Sequence, residues 1–204
     1  MTSHALLLRQ RRAVLKSIVA GIAAMGPLSR AYAGSGYVVP NDYADTHTAS
    51  LFWAKPRSLK LVRQTTGETV EACYWRDGQL DVPGYLQICR LMRDVRAGQA
   101  ATIDVRLLNL LRGMQGWLAS TYGIAEHYQI NSGYRTESTN ATTEGAARNS
   151  LHKRGQAVDG RYPSLPVQYT GELFRAFKGG GVGFYLNKHK FIHSDVGRVR
   201  QWRG

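Results

Sequence analysis

The sequence is poor in acidic residues, in cysteine and in long apolar runs, and each scarcity excludes something. Its 204 residues carry 14 Asp and Glu against 27 Lys and Arg, a formal charge of +13. A surface of that sign suits an anionic partner. Nucleic acid and an anionic cell-wall polymer both qualify, and charge alone does not choose between them. Cys73 and Cys89 are the only cysteines, far apart and without a CxxC knuckle. That excludes a thiolate zinc site and leaves either one disulfide or two buried thiols. The densest apolar run, Ile18–Met25, is too short to cross a bilayer comfortably. There are no internal repeats, no coiled-coil heptads and no low-complexity blocks. The glycine run Gly179–Gly183 lacks the Lys-Ser/Thr and the following helix of a phosphate-binding loop. A tight turn that lets the backbone approach a substrate is expected there instead.

What is present begins with a leader. A basic stretch precedes Ile18–Met25, and Pro27 and Ala31-Tyr32-Ala33 follow, the pattern of an export signal cleaved before Gly34. Arg11-Arg12-Ala13-Val14-Leu15-Lys16 resembles a twin-arginine signal, and the competing reading is an uncleaved amphipathic anchor. Residues 1–33 are therefore set apart as signal peptide, 34–56 as a partly ordered N-terminal arm, and 57–204 as one compact domain. Without the leader, 22 basic and 14 acidic residues remain, a balance of +8. The mature chain is expected in a bacterial periplasm, without stable membrane insertion and as a monomer.

Periodicity gives a coarse map. Ser58–Val62 and Glu68–Trp75 are β-prone and flank a turn at Arg63–Gly67. Pro83–Val95 has near-helical apolar spacing. Ile103–Tyr122 places Val105, Leu107, Leu108, Leu111, Met114, Leu118 and Tyr122 on one helical face, with Asp104 at its start and Gly123 after its end. Tyr128–Asn131 is a short strand. Glu137–Asn149 is polar loop, with a helical turn at Glu144–Arg148. Gln156–Asp159 starts a core strand and Gly171–Phe177 is a short helix. Val182–Tyr185 and Phe191–Asp195 are strands joined by Leu186–Lys190.

The chemistry concentrates in Asn131–Asp159 and Phe191–Gly197. His152, Asp159 and His193 are residue types that share one zinc ion, and a catalytic zinc keeps a fourth position open. Gly155 argues for loop leading into strand between the first two. Asp195 lies two residues beyond His193, on the same face of its strand. It can serve as general base or as a group that orients the imidazole. Arg135 can hold a substrate carboxylate or an oxyanion, or simply brace a loop. Ser150 can bond a peptide end. His47, His127 and His189 show no partner pattern.

Ser132-Gly133-Tyr134-Arg135, Ser150-x-His152-x-x-Gly155-x-Ala157-x-Asp159 and Phe191-x-His193-x-Asp195-x-Gly197 resemble the M15 zinc peptidases, most closely the periplasmic YcbK-like (DUF882) branch. The likeness extends through Thr66-Gly67-Glu68, Arg93-Asp94-x-Arg96, Gly181-x-Gly183-x-Tyr185 and Gly197-Arg198-x-Arg200-x-Trp202. It implies an α+β fold of the hedgehog/D-Ala-D-Ala-peptidase type, with a small antiparallel sheet flanked by helices. It implies one Zn²⁺ on His152, Asp159 and His193, with Arg135 catalytic and Arg135, Ser150 and Tyr134 binding substrate; Asp195, from its place beside His193, is the catalytic candidate for general base. The implied activity is murein endopeptidase, cutting peptidoglycan stem peptides, with 3–3 diaminopimelate cross-links a plausible target. A D,D- or L,D-carboxypeptidase and a non-catalytic peptidoglycan-binding module are the alternatives. Nucleic acid, supported by charge alone, is not an expected partner. Two departures stand out: Lys190 occupies the position where many relatives place an acid/base Glu, and Leu186 follows Tyr185 where a Pro is usual.

Overall fold

The computed structural model describes residues 30–31, 38–39, 46–187 and 190–204. The expected leader, apart from Arg30 and Ala31, lies outside the described residues, as does His189. A minimal ladder pairs β1 (Arg30–Ala31) with β2 (Val38–Val39). Within the expected arm, α1 (Thr46–Ala54) forms a helix that buries Trp53 in the core.

The domain is built on one sheet of eight strands: β3 (Arg57–Arg63), β4 (Thr69–Arg76), β5 (Gln79–Leu80), β6 (Tyr128–Ser132), β7 (Ala157–Arg161), β8 (Gly181–Tyr185), β9 (Phe191–Asp195) and β10 (Arg200–Arg203). Their spatial order is β10-β8-β9-β7-β6-β3-β4-β5. The α+β class stands, but the sheet is neither small nor purely antiparallel. The pairs β3–β6 and β8–β10 are parallel, and short end strands extend it on both sides. The glycine run is only partly a turn: Gly179 and Gly180 lie in the connection after the helix, whereas Gly181–Tyr185 is a strand bonded on both edges, to β9 and to β10.

Helix α2 (Val82–Leu91) packs along β4, while α3 (Val105–Tyr122) and α5 (Val167–Phe177) pack on the sheet and on each other. Asp104 caps α3 by accepting from the Arg106 N–H at 2.9 Å, and Gly123, at φ 68, ends it in the left-handed region. Leu107, Leu108, Leu111, Met114 and Leu118 are all buried, as their spacing predicts. Each full burial contributes about 1.5–3 kcal/mol before ordering costs. The short helix in the polar loop is α4 (Glu137–Ala141), not Glu144–Arg148, because Thr136 caps it at the Thr139 N–H. Cys73 is half-buried, Cys89 is buried, and both are free thiols.

Candidate metal centre

Strand register assembles most of the site. Asp159 of β7 and His193 of β9 are direct partners across an antiparallel pair, so their side chains rise from the same face. Ser132 of β6 pairs with Asp159 on the other side. Gly183 of β8 pairs with His193, and Trp202 of β10 pairs with Gly183. One row of positions, Ser132, Asp159, His193, Gly183 and Trp202, therefore crosses five adjacent strands.

His152 arrives from outside the sheet. It sits in a 3-10 turn, Leu151–Arg154, whose start is capped by Ser150 Oγ accepting the His152 N–H at 3.4 Å. Gly155 ends the turn at φ 63, and a Cβ there would lie 2.2 Å from the Thr102 carbonyl oxygen. A residue with a side chain has no room at that position and would be strained by the backbone itself.

His152 Nε2 lies 3.2 Å from Asp159 Oδ1 and 3.1 Å from His193 Nδ1, and His193 Nδ1 lies 2.9 Å from Asp159 Oδ1. Among the described residues these three form the group spaced to hold a metal ion. A tetrahedral ion with bonds of about 2.0–2.1 Å sets its ligand atoms about 3.3 Å apart, and this triangle is within a few tenths of an ångström of that.

The outer ring nitrogens make the same point chemically. His152 Nδ1 is 2.6 Å from the Gly133 carbonyl oxygen, so it carries the proton and donates. His193 Nε2 is 3.1 Å from Asp195 Oδ2. With those protons on the outside, two imidazole lone pairs and a carboxylate oxygen face one another. Three acceptors at that spacing call for a cation between them, or for a proton on one ring. The His152 side chain keeps 2% of its surface exposed and the His193 side chain 12%, which sets the open side of the cluster at His193.

Burial alone would raise the Asp159 carboxyl; His152 and His193 outweigh it and hold it far below the carboxylate range. Burial lowers His152 despite Asp159, which keeps that ring neutral and able to act as a ligand. Burial also pulls on His193, but Asp159 and Asp195 on its two sides raise it.

Arg135 donates through Nε to Ser132 Oγ at 2.8 Å and through Nη2 to Asp159 Oδ2, while its backbone N–H reaches the His152 carbonyl at 3.2 Å. Tyr134 is half-buried against the core, its N–H on the Met92 carbonyl. Asp195 is fully buried behind His193, with contacts to the Gly181 N–H, the Gly197 N–H and the Arg200 guanidinium as well as the imidazole. Lys190 is exposed, at φ 48. His127 Nε2 lies 3.1 Å from Glu71 Oε1 at the surface, away from the cluster.

Several contributors carry no role in the sequence reading. Gly133 acts through its carbonyl, which no residue type advertises. Asp94 accepts from the Thr136 N–H at 2.8 Å and hydroxyl at 2.9 Å, and so fixes the segment that bears Gly133 and Arg135. Arg200 and Trp202 stand beside Asp195 and His193. Their signal was the motif residues around them, quoted without a function.

Comparison with known proteins agrees with the geometry. The family model described as Peptidase_M15_2, peptidoglycan L,D-endopeptidase MepK, matches residues 52–202. The peptidoglycan L,D-endopeptidase MepK of Escherichia coli K12 is 33% identical over 163 residues, covering 76% of this chain and 84% of that protein. The probable peptidoglycan L,D-endopeptidase MepK of Haemophilus influenzae is 31% identical over 155 residues, covering 74% and 81%.

Proposed function

The chain belongs to the M15_2 peptidase family and is a peptidase, and from that premise we propose that it hydrolyses peptide cross-links in bacterial peptidoglycan, using one zinc ion held by His152, Asp159 and His193. The observation that carries the proposal is the triangle of donor atoms 2.9–3.2 Å apart, with both outer ring nitrogens engaged. When bound, zinc lowers the pKa of a water ligand and polarises the scissile carbonyl.

The protein's own residues do the positioning. The Gly133 carbonyl fixes the tautomer of His152, and Asp195 does the same for His193. Asp195 takes this orienting role rather than that of general base, because its oxygens already accept from two backbone N–H groups, Arg200 and His193. Arg135 holds Asp159 Oδ2 and leaves Oδ1 to the ion. Its other guanidinium N–H groups are placed for a developing oxyanion or a stem-peptide carboxylate. Ser150 keeps a hydroxyl proton for a peptide carbonyl, and Tyr134 contributes to the same wall. No proton transfer is assigned to Lys190. The leader implies export to the periplasm by a twin-arginine route, and the enzyme works there as a monomer.

Digestion of cross-linked muropeptides with and without a chelator, with products identified by mass, tests the reading. The expected result is separation of the stems, abolished by chelator and restored by zinc. Binding without any product would replace the enzyme with a binding module. Loss of a single terminal residue would make it a carboxypeptidase.

A further inference from the structure

Two rows of the sheet have the same construction. In each, a glycine of β8 leaves a gap, and a side chain of β10 lies across that gap toward β9. Trp202 pairs with Gly183, and its indole lies 5.2 Å from the His193 ring at 50°. A Cβ on Gly183 would come within 2.6 Å of the indole. Arg200 pairs with Gly181, and its guanidinium reaches Asp195 Oδ1 at 3.1 Å and Oδ2 at 2.7 Å. A Cβ on Gly181 would come within 2.1 Å of Arg200 Nη1. The two reaching side chains also support each other. The Arg200 guanidinium lies 4.9 Å from the Trp202 ring centroid, and Trp202 Nε1 donates to the Tyr185 hydroxyl at 3.2 Å.

The consequences converge on His193. Its ring has three determinants of orientation: Nδ1 at the metal cluster, Nε2 on Asp195, and a face against Trp202. Arg200 engages both oxygens of Asp195, and a two-pronged guanidinium fixes the plane of a carboxylate as a point charge does not. Both β10 residues thus act one step behind a proposed ligand.

We infer that Arg200 and Trp202 are positioning residues of the metal centre, and that the glycines at 181 and 183 are present so that these two side chains can cross β8 and lock the His193 imidazole. The inference rests on the metal assignment above and adds that the grip on the ion depends on β10.

Zinc affinity of the full chain, measured by competition with a chromophoric chelator, and the visible spectrum of the cobalt-substituted protein are the readouts, with circular dichroism reporting folding. Arg200→Ala is expected to weaken zinc binding about 10–100-fold, the range for loss of a group supporting a metal ligand. Arg200→Lys keeps the charge, loses the fork and recovers only part of that affinity. Trp202→Ala and Gly183→Ala both weaken binding and shift the cobalt bands, and the double variant is no worse than Trp202→Ala alone, because both remove the same contact. If Arg200→Ala does not fold, Arg200→Lys and Gly183→Ala carry the test. Folded variants that bind zinc as tightly as the wild type, with unchanged cobalt bands, overturn the inference. His152→Ala separates the two levels. If it still binds zinc like the wild type, the metal assignment falls and the role of β10 falls with it. If it loses zinc while the β10 variants keep it, only the role of β10 is lost.

Discussion

The two imidazoles of the proposed centre are held by opposite means. His152 rides on a short turn outside the sheet and is fixed by main chain: its Nδ1 bonds the Gly133 carbonyl, and Gly155 seats the turn against Thr102. His193 stands in a central strand and is fixed by side chains, Asp195 and Trp202. A main-chain carbonyl cannot be removed by substitution, so the first ring is protected from most point changes nearby. The second depends on residues that can be exchanged one at a time, so its strength can be tuned. The fold supplies the His152 partner through backbone position, and the sequence supplies the His193 partner through residue choice.

The largest effect that would sharpen this contrast comes from the ligands themselves. His152→Ala and His193→Ala should each abolish bound zinc and muropeptide cleavage; stoichiometric zinc by elemental analysis in either variant would break the assignment. Next is Asp195→Asn, which should lower zinc affinity about 10–100-fold while the protein stays folded. Unchanged affinity would mean that the side-chain scaffold around His193 is dispensable.

Asp94→Ala tests the main-chain side from a distance. It leaves the N–H groups of Arg96, Ala97 and Thr136 without their acceptor. A loss of about 2–3 kcal/mol and a fall in Tm of about 5–10 °C are expected, with a smaller change in metal affinity than for Asp195→Asn. A larger change in affinity would show the His152 side to be the fragile one.

Acid should give the most graded effect, and removing one carboxylate from it the smallest. Burial alone would raise Asp94, but the N–H and hydroxyl groups around it outweigh burial and hold it at about 2. Asp159 and Asp195 are also depressed. A carboxylate depressed in the folded state stabilises above its unfolded pKa of about 3.9, and the benefit is lost as pH falls through the folded value. The stability that these carboxylates contribute should therefore be flat from pH 7 to about 5 and then decline. Asp94 accounts for about 2 kcal/mol of that decline, and Asp94→Asn should make it shallower by that amount, leaving the share of Asp159 and Asp195, in a denaturant titration across pH.

Much of the scaffold was legible because it followed period and punctuation. The leucines of α3 repeat at helical spacing between a capping aspartate and a glycine, and the helix forms where they say. The β3–β4 hairpin and β9 lie close to their expected bounds. Three metal-type residues were readable because their glycine and aspartate neighbours stand at fixed offsets. The α1 helix was hidden because Leu51-Phe52-Trp53 is a block of apolar residues without a period. Strand β10 was hidden because Arg-Gln-Trp-Arg is polar and its pairing with β8 is a crossover that local pattern does not encode. The place of Asp195 was half legible. Alternation put it beside His193, but which ring nitrogen it would meet depends on side-chain rotation. The role of Asp94 was illegible because its partner, Thr136, is 42 positions away.

The central position of β7 and β9 has a kinetic corollary. Each is bonded to neighbours along both edges, so the amides of Asp159 and His193 exchange with solvent only when the sheet itself comes apart. The turn carrying His152 lies outside the sheet and is held instead by the Arg135 N–H on the His152 carbonyl at 3.2 Å, the Gln156 N–H on the Leu151 carbonyl at 3.0 Å and the Asp104 N–H on the Gly155 carbonyl at 2.9 Å. Opening of that turn is therefore expected to be separate from opening of the sheet, and deuterium uptake at Leu151–Arg154, compared with uptake at β7 and β9, measures the difference.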